Sequence, residues 1–288
     1  MWKKKLMTAA LLCSAGMSYA FMPQAGTWVV TSEVDGKPGR GLAMDVQNDT
    51  LLMQMYAYEA NSQPTFYLAV GKVVNNAATA PLVRYTGGRF FGSNARSGVE
   101  AGSAGNMTIR FTSGTTGFVQ FPNETEKAIS RFQFGYPAQA SSLRGLWVFN
   151  SIGSGVVSTD VVDLTQAQAA TANGNGLMAS ANNLFGCEHQ IRGTLAGNVV
   201  CVWINSSGAL QRGYVLQYSV NEGEGYSSAA NSSSQQLLVV RRLTDPRGVG
   251  TGLTIKSEES GEGTESQAAS PAALGQALEL LATQGLAP

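Results

Sequence analysis

The sequence predicts an all-β protein: two antiparallel, meander or up-and-down β-barrel-like domains in tandem, then a disordered linker and a short C-terminal helix. Three observations carry this prediction. Glycine is abundant (34 of 288 residues) and charged residues make up only 13%. That mix suits short strands and many turns, whereas a helical bundle needs Glu, Lys and Leu at helical spacing. Gly26-Thr27-Trp28 recurs as Gly145-Leu146-Trp147, each at the head of a β-rich run. Each run closes on an arginine-bearing strand, Arg131 in the first and Arg241-Arg242 in the second.

Residues 1–20 have the layout of a signal peptide. Lys3, Lys4 and Lys5 precede the apolar run Leu6–Gly16, and Ser18-Tyr19-Ala20 places small residues for a cut before Phe21. The run is too short to span a bilayer, and no other stretch is long and apolar enough for a transmembrane helix. The expected location is periplasmic or secreted. Removing the three lysines leaves 16 basic against 19 acidic residues, with no basic patch of the kind nucleic-acid binders carry.

The first domain, residues 21–140, reads as eight short strands: Thr27–Val34, Gly41–Gln47, Leu51–Tyr58, Thr65–Val74, Leu82–Phe91, Met107–Thr112, Gly117–Phe121 and Lys127–Phe134. Turn residues such as Asn48-Asp49 and Asn61-Ser62 separate them. A meander of eight strands closes most simply into a barrel, which removes both edges and leaves an interior filled by side chains or holding one small ligand.

The second domain, residues 141–245, starts with strands at Leu146–Ile152 and Val156–Leu164. The stretch Thr165–Asn183 is poor in hydrophobic bulk and reads as an insertion that disturbs barrel closure. Strands follow at Leu184–Ile191, Asn198–Asn205, Gln211–Val220 and Gln235–Leu243, with Asn221–Gly225 as a loop. Matching Tyr58 to Trp203 implies about 26 extra residues in this copy. Of three cysteines, Cys13 lies in the leader. Pairing the strands around Thr194 sets Cys187 opposite Cys201, and a disulfide is expected in an exported chain. Residues 246–270 read as a flexible linker. In residues 271–288, Ser270-Pro271 starts a helix with Leu274, Ala277, Leu278 and Leu281 at helical spacing. It is expected as a loosely docked tail or as a docking segment for an envelope protein.

A Gly-x-Trp on a first strand with an arginine on a last strand resembles the lipocalin and avidin-like (calycin-type) barrels. The resemblance implies that Gly26, Trp28 and Arg131 plug one end of the first barrel. Gly145, Trp147 and either Arg241 or Arg242 repeat the device, the guanidinium packing over the indole. A binding site would then lie at the opposite, open end. The run Leu51–Tyr67 also resembles a β-domain of exported proteobacterial proteins with no assigned activity.

For chemistry the residues offer little. His189 is the one histidine, and with Cys187 in a disulfide no Cys-His pair is left; the spacing gives no metal site, no nucleophile elbow and no cofactor loop. No catalytic residue, metal or cofactor is assigned, and a secreted hydrolase is the least favoured function. The better lead is the aromatic and thioether cluster Met53, Met55, Tyr56, Tyr58, Phe66, Tyr67 and Tyr85, expected to line or fill a cavity. The functional expectation is an exported, non-enzymatic protein binding a small apolar ligand or a protein partner, with an envelope scaffold as the alternative.

Overall fold

The computed structural model describes residues 22–153, 155–232, 234–252 and 268–284. The expected signal peptide, residues 1–20, and most of the expected linker, residues 246–270, lie outside the described residues.

Eight antiparallel strands form the first barrel: β1 (Gly26–Val30), β2 (Gly41–Gln47), β3 (Thr50–Tyr58), β4 (Pro64–Lys72), β5 (Ala77–Thr86), β6 (Val99–Phe111), β7 (Thr116–Gln120) and β8 (Lys127–Arg131). Sequence neighbours are sheet neighbours, and β8 returns to pair with β1, so neither edge is left open. Asparagines make the tight turns possible: Asn48, Asn75 and Asn76 sit at φ of 56°, 51° and 60°, a region asparagine tolerates. The alternation of β3 sends Leu51, Met53, Met55 and Ala57 inward and the residues between them outward. With Trp28, Leu42, Met107, Ile109, Phe111 and Ile129 they form one packed cluster.

The second barrel also closes with eight strands: β9 (Gly145–Gly153), β10 (Val156–Gln168), β11 (Gly174–Ser180), β12 (Phe185–Gln190), β13 (Val199–Ile204), β14 (Leu210–Ser219), β15 (Glu222–Ala229) and β16 (Gln236–Arg242). Three expectations are corrected here. The stretch Thr165–Asn183 does not interrupt closure; it supplies the end of β10 and all of β11. The loop at Asn221–Gly225 is a turn that opens β15. Trp203 therefore stands on the fifth strand and Tyr58 on the third of their barrels, so the two do not correspond. From tryptophan to arginine the second copy runs 95 positions against 103 in the first; it carries no large insertion.

The disulfide forms as the register requires: Cys187 and Cys201 are direct cross-strand partners with Cα atoms 4.0 Å apart, both buried in the barrel. Around them Phe149, Phe185 and Tyr214 pack as an aromatic cluster. A residual interior pocket lined by Trp147, Leu164, Cys187, Cys201 and Tyr218 among others is about 10 Å³, no more than a single water needs.

Helix α1 (Pro271–Gln284) is not a loose tail. Ser270 caps it, its side chain accepting from the Ala273 N–H at 3.2 Å. Leu274, Ala277, Leu278 and Leu281 are buried against the outer wall of the second barrel, where Val200, Val202 and Ile204 face outward from β13. This explains why Val-Val-Cys-Val-Trp-Ile is apolar on both faces: one lines the barrel and the other meets the helix. Gly186 permits the contact, since a Cβ there would stand 2.6 Å from a Leu274 methyl. The helix's apolar face is thus occupied within the chain, which counts against residues 271–288 as a free docking segment.

Candidate functional site

The Gly-x-Trp device is built twice in matching detail. Gly26 and Gly145 adopt φ of 125° and 123°, a backbone suited to glycine. The Trp28 indole N–H donates to the Gln24 carbonyl at 3.0 Å, and that of Trp147 to the Leu143 carbonyl at 2.8 Å, each four residues back. In register, Trp28 pairs with Arg131 and Trp147 with Arg242. The choice between Arg241 and Arg242 is settled by parity. Arg242 points inward with its guanidinium 4.1 Å from the Trp147 ring centre, while Arg241 faces outward to Glu222. The two lids differ. Arg242 is fully buried and spends its nitrogens on three carbonyls, of Val220 (3.2 Å), Arg144 (2.7 Å) and Ser142 (2.6 Å). Arg131 is half-buried and lies across Gly26; its Nε donates to the Ala25 carbonyl at 3.1 Å, and its Nη1 to those of Thr27 (2.8 Å) and Phe132 (3.2 Å).

The aromatic cluster does not converge on one cavity. Met53 and Met55 point into the packed interior, and Tyr67 packs partly against it. Tyr56, Tyr58, Phe66 and Tyr85 are exposed on the outside. The physical reason is the strand period of two: Met55 and Tyr56 are adjacent and must face opposite ways.

Cavities instead occur where the barrels meet. The contact is polar: Ser113 and Thr115 donate to the Gln217 side-chain oxygen at 2.6 and 2.7 Å, Gln24 to the Glu222 carbonyl at 3.1 Å, and Gln133 to the Tyr218 carbonyl. On one side of this bridge lies a cavity of about 310 Å³. Its wall is the outer face of the second barrel, where one cross-strand row sets Val215, Tyr226 and Leu237 side by side. The next row contributes Gln217 and Glu224; burial raises the Glu224 carboxyl above its usual range. Gly114 and Thr115, in the turn after β6, form the facing edge.

A second cavity of about 280 Å³ adjoins the same bridge, bounded by Arg131, Tyr136, Ala138, His189, Gln217 and Tyr218 among others. His189 is 8% exposed, 3.4 Å from the Tyr218 hydroxyl, and burial pushes its imidazole down to about 4. Both cavities thus lie at the inter-barrel junction. The second sits beside the Trp28–Arg131 end, not at the opposite open end that the resemblance led one to expect. Sequence reasoning missed Val215, Tyr226 and Leu237 because they lie on three different strands. The signal that was available is the pair Leu237 and Val239 at outward parity along β16.

No helix among the described residues is long and apolar enough to cross a membrane, and they hold no cluster of three or more His, Cys, Asp or Glu placed to share a metal ion. No family model, curated protein or solved structure matches the chain.

Proposed function

We propose that this is an exported, non-catalytic binding protein that takes a small, largely apolar ligand in the cleft between its barrels. The observation that carries this reading is the 310 Å³ cavity walled by Val215, Tyr226 and Leu237, beside two barrel interiors that are already filled. Its volume is at the small end for ligand sites, and an apolar lining with a few polar groups such as Gln217 and Glu224 is their usual composition. Binding is favoured over catalysis because Cys187 has no free thiol and His189 is held neutral at ordinary pH, with a tyrosine rather than a carboxylate beside it. The test uses the neutral fluorescent probe N-phenyl-1-naphthylamine. Wild type should bind it saturably, and Leu237→Trp, which fills the cavity, should weaken binding roughly tenfold. Absence of saturable binding, or equal binding by the variant, removes the proposal.

A second reading, an envelope scaffold, is favoured by a different observation. Tyr56 pairs with Phe66 and Leu52 with Val70 on the outer face of the first barrel, all four exposed. A photo-crosslinker at position 58 should then give one discrete protein adduct in the native envelope, lost on Tyr56→Ser/Phe66→Ser. No such adduct would sink it.

A further inference from the structure

The two arginines at equivalent positions of the two barrels are used differently. Arg242 has each of its three guanidinium nitrogens on a carbonyl and is stacked on Trp147, which accounts for it as a structural group. Arg131 forms no ion pair among the described residues, and its Nη2 donates no hydrogen bond there. It lines the 280 Å³ cavity, and among the described residues no acidic side chain lines that cavity with it. Across the cavity, Gln217 has its oxygen committed to Ser113 and Thr115, which leaves its amide N–H₂ as a donor. A half-buried guanidinium keeps its charge, and an uncompensated charge out of water is costly. A cavity holding one cation, a spare amide donor and no carboxylate is electrostatically incomplete.

We propose that this cavity binds a small organic monocarboxylate, with the carboxylate on Arg131 Nη2 and the Gln217 amide and the organic part against Tyr136 and Tyr218. One charge, rather than two, fits the site. His189 is the other ionisable nitrogen lining it, and burial keeps that imidazole neutral at pH 7. Arg242 lies behind the Tyr136 and Tyr218 rings with each of its nitrogens on a carbonyl, so a phosphate dianion would meet only one guanidinium with an uncommitted nitrogen. Tyr136 and Tyr218 among the lining residues suit an organic body such as an aromatic acid. This site is separate from the apolar cavity, from which the Thr115–Gln217 bridge divides it.

The probes are benzoate and acetate, with phosphate and chloride for comparison, titrated calorimetrically into the full chain at pH 7.5. Benzoate should bind saturably with one site per chain and more tightly than phosphate. Arg131→Gln should abolish binding. Because Arg131 also ties three carbonyls, the decisive variant is Ala138→Asp, which sets a carboxylate at the cavity wall without removing a side-chain hydrogen bond; it should weaken benzoate roughly tenfold or more. It should still take up N-phenyl-1-naphthylamine, so failure here is distinguishable from failure of the apolar site. The proposal is overturned if benzoate shows no saturable heat at about 10 mM, if phosphate binds as tightly, or if Ala138→Asp binds benzoate like wild type.

Discussion

One buried histidine should make its own contribution to the acid instability of this protein. His189 is 8% exposed, and burial lowers its imidazole from 6.5 to about 4. In the unfolded chain it takes up a proton near pH 6.5; in the folded chain it resists until about pH 4. Between those values the unfolded state holds more protons, so stability falls as pH falls; above 6.5 and below 4 the histidine adds no slope. The shift of about 2.5 pH units, at 1.36 kcal/mol each, amounts to about 3 kcal/mol. His189→Gln keeps a polar side chain of similar bulk but cannot titrate. Urea unfolding of both proteins from pH 7.5 to 4.0 isolates the effect from the carboxylates they share. Wild type should lose about 3 kcal/mol more than the variant across that window. Equal losses would show that the buried imidazole ionises as in water, and would remove the basis for treating it as neutral in its cavity.

Other consequences can be measured alongside. Leu278→Ala deletes a fully buried contact between helix and barrel and should cost about 2–5 kcal/mol, read as a lower urea midpoint. Reducing the Cys187–Cys201 bridge, which closes a 14-residue separation, should cost about 3 kcal/mol and leave the far-ultraviolet β signal intact under native conditions. An unchanged midpoint in either case would contradict the packing described for the second barrel.

Most of the first barrel was legible in the sequence because its strands alternate and its turns carry their own signals, but β5 (expected at Leu82–Phe91) and β6 (expected at Met107–Thr112) begin earlier, at Ala77 and Val99. Leu51 to Tyr58 states its inner and outer faces residue by residue, and Asn48-Asp49 marks the turn before it. The second barrel was harder because a helix covers part of its outer wall. Where both faces are buried, as from Phe185 to Gln190, alternation disappears. Glu188 is fully buried there, its carboxylate bonded to Thr171, Gly176 and Gln190. Strands β11 and β15 went unseen for the opposite reason. Gly174, Gly176, Gly223 and Gly225 look like loop residues, yet a Cβ at Gly174 would strike the Glu188 carboxylate, and at Gly225 the Val215 carbonyl. Glycine in these strands reflects close approach rather than a turn. The cavities were illegible in a stronger sense. Their walls come from both barrels, and no local pattern encodes which outer faces meet. What could be read was the cystine, since register alone places Cys187 opposite Cys201.

The docking of α1 also sets an order of events. The stripe Val200, Val202 and Ile204 is laid down some seventy residues before the helix that shields it. A chain made from its N-terminus can close the second barrel while that stripe is still bare. For that interval the nascent molecule carries an adhesive patch, with other chains as available neighbours. Helix α1 then acts as a stopper once its residues have emerged and docked. Chains ending before residue 271 should form the barrel and still clump, so that a defect of the tail would look from outside like a defect of folding.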